Sequence, residues 1–156
     1  VDQATDLQDR ADTLAESVAV FTLQQGTADE AQAMVGRAME HRRHCGSRDA
    51  FLRELTPVEN GFFDRDMYVF VLDSNGHYLA FGGNPAKVGT RVQDIAGIDG
   101  QGLLDSIMRV ARVGPGWVEY DITNPATGKV QTKMSFVHMV DDLYLGCGVY
   151  KHFAAR

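Results

Sequence analysis

The residue whose setting most invites chemistry in this chain is Lys133. In "KVQTKMSFVHMV", residues 129–140, strict alternation puts Met134 and Phe136 on one face. Gln131, Lys133 and Ser135 share the other face, followed by Val137 and Met139. If the Met/Phe face packs on helices, Lys133 lies beneath whatever covers the opposite face. An ammonium there needs an anion, because an unpaired buried charge is costly. The same spacing also fits a lysine left in solvent on a partly covered sheet. Aromatic residues are the second ingredient. Tyr68, Phe70, Phe81, Trp117 and Tyr120 all fall on expected strands or strand ends bordering the same cover. Residues of this kind are more often core than site. Trp117 and Tyr120 are three apart, so both line one pocket only if their strand starts irregularly.

Catalytic patterns are missing. The sequence holds no GxSxG elbow, P-loop, HExxH or GxGxxG, and nothing pairs a nucleophile with a base. His41, His44, His77, His138 and His152 are scattered, without metal-ligand spacing. "DSNGH" opens like a calcium loop, but Gly76 comes too early and no Glu closes it, so a turn is expected. Asp64 and Asp66 flank Arg65 in what reads as a solvated turn. Cys45 and Cys147 permit a disulfide, but the favoured reading is two small buried hydrophobes. With no CxxC and no Cys/His cluster, a structural zinc site is not expected. The expectation is a binding module rather than an enzyme, with no metal and no cofactor.

Composition agrees. A chain of 156 residues with 44% hydrophobic content builds one domain with a real core. A net charge of −6 without clustered Lys and Arg argues against nucleic acid and against docking on anionic lipid. No apolar stretch approaches the roughly 20 residues that span a bilayer. The chain opens inside a helical pattern and stops at "GVYKHFAAR", which suggests an excised domain, with anything that anchored it missing.

The elements that position these residues follow from periodicity. Residues 1–25 are helical in pattern, with Ala4, Leu7, Ala11, Leu14, Val18 and Phe21 on a 3-4-3-4-3 seam. The seam fits packing on its own domain or pairing with a second copy, and one long helix can do both. Gly26 ends or kinks that helix. "TADE" is a capping box opening a second helix to about His44, and "GSRDAFLRELTP" gives a third helix from Ser47 to before Pro57. From Gly61 the period becomes two, predicting strands near 67–73, 77–82, 117–122, 129–139 and 143–150. Turns are expected at Ser74-Asn75-Gly76, across 123–129 and at Asp141-Asp142. A helix near 102–112 carries an apolar stripe of Leu103, Leu104, Ile107, Met108 and Ala111. The first strand, "MYVFVL", is apolar on both faces, so both faces need cover. Helices can take one face, and only the insertion 83–116 can roof the other. This is an α+β layout: a long N-terminal helix and further helices packed on a five-stranded antiparallel sheet. A loop-borne roof over a sheet suits a small-molecule pocket.

Several blocks, in order, resemble the single Cache domain of bacterial sensory receptors. They are Tyr68-Val69-Phe70-Val71, Gly83-Asn84-Pro85, Val88-Gly89, Gly116-Trp117-Val118, Asn124-Pro125, Thr127-Gly128-Lys129, Lys133 and Gly146-Cys147-Gly148. The resemblance runs over about residues 28–151. It implies a PAS-like sheet that binds ligand, outside the inner membrane and usually in the periplasm, between two transmembrane helices of a chemoreceptor, sensor histidine kinase or cyclic-dinucleotide enzyme. It also implies a long helix continuing from the first membrane helix, here residues 1–25, ahead of a sensor core at 26–151, with a homodimer through that helix. The implied ligands are small carboxylates such as acetate, propionate, pyruvate or lactate. Lys133 would meet the carboxylate and Tyr68 would donate a second hydrogen bond. Phe70, Phe81 and Trp117 would wrap a short apolar tail, with Tyr120 beside them. Relatives often carry His where this chain has Phe81, which implies a more apolar pocket here. Two other classes stay open: a PAS-type module holding haem or flavin, and a dimerising interaction domain without ligand.

Overall fold

The computed structural model describes residues 26–123 and 128–151. The seam of residues 1–25 and its expected pairing lie outside them. Helix α1 (Ala28–His44) starts at the capping box read from the sequence: Thr27 Oγ1 accepts from the Glu30 amide, and Glu30 Oε1 accepts from the Thr27 amide. Ala31, Met34, Val35 and Ala38 form its buried face. Helix α2 (Arg48–Leu55) is capped by Ser47, whose Oγ accepts from Ala50 N–H at 3.1 Å. Its Phe51 and Leu55 are fully buried, worth about 1.5–3 kcal/mol each.

Six strands follow: β1 (Phe63–Asp64), β2 (Met67–Leu72), β3 (Tyr78–Phe81), β4 (Gly116–Thr123), β5 (Val130–Val140) and β6 (Leu143–Tyr150). The five read from the sequence are all present, and β1 is added as a two-residue strand too short to show a period. The sheet is antiparallel, in the order β1-β2-β6-β5-β4, and β1 and β3 share one edge of β2. Asp73 shapes the β2–β3 turn by accepting from the Asn75 and His77 amides, with Gly76 at φ 88°. The β5–β6 turn is tied to the helices by Arg42–Asp141 and Arg48–Asp142 ion pairs, each 2.9 Å.

The turn around Arg65 is more than a solvated loop. Arg65 sits at φ 58° and its guanidinium pairs with Glu30 at the start of α1 as well as with Asp64. Asp66 Oδ1 accepts from the Gly26 amide at 2.8 Å. These contacts fasten the entry of α1 to the start of β2.

The double-sided apolar character of β2 is explained by two cores. Met67, Val69 and Val71 pack into a cluster with α1, α2 and the inward residues of β6, Leu145, Cys147 and Val149. Phe70 and Leu72 belong to a second cluster under the roof. That roof consists of two 3₁₀ turns (Pro85–Lys87 and Val92–Asp94) and helix α3 (Gly100–Val113). Asp99 caps α3 through the Gly102 amide, and Leu103, Leu104, Ile107 and Ala111 face the sheet. Gly100 is forced: a Cβ there would stand 2.2 Å from the Val92 carbonyl oxygen, so glycine lets α3 seat against the preceding turn.

Candidate ligand-binding site

A cavity of about 140 Å³ lies between the sheet and the roof. Its floor is built by Tyr68 and Phe70 of β2, Tyr78 and Phe81 of β3, Tyr120 of β4, and Lys133 and Ser135 of β5. Ile95, Ile98, Leu103 and Ile107 close it from above, and Lys87 stands at its edge. Strand β6 makes the room. Gly146 and Gly148 alternate with the helix-facing Leu145, Cys147 and Val149, so β6 offers no side chain to the floor at those positions. A Cβ on Gly146 would fall 2.6 Å from Phe70 Cζ, and one on Gly148 would fall 2.7 Å from Ser135 Oγ.

The aromatic residues form a connected box. Tyr68 stacks on Phe81 with centroids 4.2 Å apart. Tyr78 meets Phe81 and Phe70 edge-on at 5.1 and 6.2 Å. Tyr120 and Ser135 hydroxyls are 3.3 Å apart across the β4–β5 pair. Burial raises the hydroxyl pKa of Tyr68 well above the ordinary value and raises those of Tyr78 and Tyr120 as well, so all three are neutral hydrogen-bond donors at any physiological pH.

Lys133 is 7% exposed, and none of the described residues brings a carboxylate into ion-pair contact with it. Its ammonium lies 5.4 Å from the centroid of the Tyr68 ring and 5.1 Å from that of Tyr150. Desolvation lowers its pKa, and the field of Asp66 pushes the other way. The cavity thus holds a cation with spare hydrogen-bonding capacity, a neutral phenol at hand and apolar walls. That combination suits a small anion with a short hydrocarbon tail.

Of the sequence-selected residues, Lys133, Tyr68, Phe70, Phe81 and Tyr120 meet in this cavity. Trp117 does not. Strand β4 pairs without a bulge from Gly116↔Val137 to Thr123↔Val130, so Trp117 and Tyr120 take opposite faces. Trp117 packs on the helix-side core against its cross-strand partner Phe136, centroids 5.2 Å apart. Tyr78 and Ser135 were missed. Ser135 was signalled by its place two residues beyond Lys133. Tyr78 carried no signal, because its face depends on a register shift between Val71 and Leu72.

Comparison with known proteins bears on the same architecture. The sensor histidine kinase MctS of Rhizobium johnstonii (strain DSM 114642 / LMG 32736 / 3841) is 30% identical over 98 residues, 62% of this chain, and the chain spans 21% of that kinase. A methyl-accepting chemotaxis protein of Vibrio parahaemolyticus RIMD 2210633 shares the fold with a TM-score of 0.59 at 17% identity, covering 96% of this chain and 97% of that one. A Cache chemosensory domain described for its carboxylic acid recognition gives a TM-score of 0.51 at 19% identity, over 92% of this chain and 97% of that one. The single Cache domain 2 family matches residues 4–152. On a match of that extent, the chain belongs to the single Cache domain 2 family.

Proposed function

We propose that this chain is the extracytoplasmic, periplasmic sensor domain of a transmembrane chemoreceptor and that it binds a small monocarboxylate in the Lys133 cavity. The observation that carries the reading is the buried ammonium of Lys133, without a carboxylate partner among the described residues, on the floor of a small aromatic cavity. Size supports a C2–C4 acid. A cavity of about 150 Å³ in another protein holds benzene, with six heavy atoms. The present 140 Å³ therefore suits about four to six heavy atoms, the range from acetate to butyrate. A haem or flavin is several times too large for that space. The carboxylate takes charge-assisted hydrogen bonds from Lys133 and one from Tyr68, and its tail packs on Phe70 and Phe81. A sensor histidine kinase as the full protein is the second reading, favoured by the likeness to MctS. In either receptor the seam of residues 1–25 would pair two copies, and the domain itself would catalyse nothing.

The mechanism is a population shift. Roof and sheet contribute separate walls of the cavity, so a ligand touching both favours the closed arrangement. The test is a thermal-shift and calorimetric screen of acetate, propionate, butyrate, pyruvate and lactate. At least one acid is expected to stabilise the domain, and Lys133→Ala is expected to weaken it by about 10–100-fold. If no acid in the screen shifts the melting curve, the pocket has been assigned wrongly.

A further inference from the structure

A second convergence of donor atoms lies on the helix side of the sheet, across from the cavity. His41 Nε2 is 3.2 Å from Glu54 Oε2, and Cys45 Sγ is 3.1 Å from the same oxygen. The ligand atoms of all three residues lie within 4.8 Å of one another. His41 and Cys45 stand four apart at the end of α1, which places them on one face. Glu54 comes from the last turn of α2, beyond the short connection at residues 45–47. The zinc motifs sought in the sequence do not have this spacing, so the sequence reading leaves these three residues apart.

We propose that His41, Cys45 and Glu54 bind a single Zn²⁺ ion that clips α1 to α2. The donors are one nitrogen, one sulfur and one carboxylate oxygen, a mixture suited to a borderline-soft divalent ion. The distances agree with a tetrahedral centre. Zn–N and Zn–O bonds near 2.1 Å and a Zn–S bond near 2.3 Å put N and O about 3.4 Å apart and S about 3.6 Å from either. The observed 3.2 and 3.1 Å edges need to open by a few tenths of an ångström, and the third edge already lies within reach. The site also sits at the C-terminal end of α1, the negative end of the helix dipole. His41 is held against the rings of Phe51 and Phe62, with centroids 6.2 and 5.6 Å away, so its imidazole is oriented before an ion arrives.

Without metal, the Cys45 thiol donates to Glu54, and desolvation together with that bond raises its pKa. Zinc binding replaces this arrangement. The thiol proton leaves to solvent, sulfur binds as thiolate, and imidazole presents its Nε2 lone pair while keeping its proton on Nδ1. Side-chain exposures of 34% for His41 and 48% for Glu54 leave the fourth position to water. This predicts exchangeable binding rather than a permanently sealed structural centre.

The test uses the tag-free domain, stripped of metal and kept reduced, titrated with ZnCl₂ against a chromophoric chelator. One equivalent is expected to bind. At a hundredfold excess of free zinc over Kd, Tm is expected to rise by about 5–10 °C. Cobalt(II) in place of zinc should show a thiolate-to-metal charge-transfer band. Cys45→Ser should lose that band and weaken binding at least tenfold, and Glu54→Gln should weaken binding while leaving the metal-free Tm close to wild type. The proposal fails if no equivalent binds, if the cobalt complex lacks a thiolate band, or if both variants bind zinc as wild type does.

Discussion

Lys133 is an ammonium held out of water with two phenol rings nearby, and its burial works against the stability of the ligand-free fold. Replacement by methionine keeps much of the volume and removes the charge. Lys133→Met is therefore expected to raise the ligand-free Tm by about 2–4 °C, equivalent to roughly 1 kcal/mol, while abolishing the thermal shift given by any carboxylate. A variant less stable than wild type would show that the cation is satisfied within the fold. The pH dependence follows from the same burial. The folded-state pKa of Lys133 lies below the ordinary 10.5, so between those two values the unfolded chain holds a proton that the native domain has lost. Ligand-free stability consequently rises with pH across that window. A bound carboxylate needs the protonated lysine, so affinity is flat below the folded pKa and falls above it towards tenfold per pH unit. Tyr68 stays protonated throughout, because its own pKa is raised. Calorimetry from about pH 7 to pH 10 measures this slope, and a flat profile would remove Lys133 from the binding event. Lys133 was legible in the sequence because a lysine on a period-two pattern has one defined face. Trp117 was misplaced because its inclusion required an irregular strand start, and β4 is regular through its full length.

Strand β6 shows how an element can define a pocket by what it withholds. Its alternation of Leu145, Cys147 and Val149 with Gly146 and Gly148 packs one face and leaves the other without side chains between Tyr144 and Tyr150. A methyl at position 148 would meet Ser135 Oγ at 2.7 Å and Tyr120 Oη at 3.4 Å. Gly148→Ala is thus expected to narrow the cavity at modest cost to the fold, about 1 kcal/mol. Butyrate and propionate should lose more affinity than acetate, which competitive calorimetry would measure. Equal losses for all three acids would mean that the floor near Gly148 does not touch the ligand tail. At this scale most of the architecture could be read beforehand. The capping box, the Ser47 cap and the strand periods each rest on interactions among neighbouring residues. The place of Tyr78 between Phe70 and Phe81 could not be read, since it depends on cross-strand register. β1 escaped notice because two residues carry no period.

At the scale of the whole molecule the two cores meet at β2, and Asp66, at the mouth of that strand, touches both halves of the proposed signal path. Its Oδ1 holds the Gly26 amide at the entry of α1, and its charge acts on Lys133. A carboxylate in the cavity becomes a second anion facing the same ammonium, so ligand and Asp66 repel each other while sharing one cation. Under the proposed binding mode, this repulsion would load the contact that anchors Gly26 to Asp66. Two substitutions separate the charge of Asp66 from its hydrogen bond. Asp66→Asn keeps an acceptor for Gly26 N–H and removes the like charge. It is expected to tighten propionate binding a few-fold with little change in Tm. Asp66→Ala removes both and leaves that partly buried amide unpaired, a cost of about 1–3 kcal/mol. It should lower Tm and speed exchange of the Gly26 amide, with affinity raised as in the asparagine variant. In the wild-type domain, saturating propionate should likewise speed Gly26 exchange while protecting amides across 83–116. If propionate instead protects Gly26, or if Asp66→Asn weakens binding, then the ligand and the α1 anchor are not opposed through Asp66.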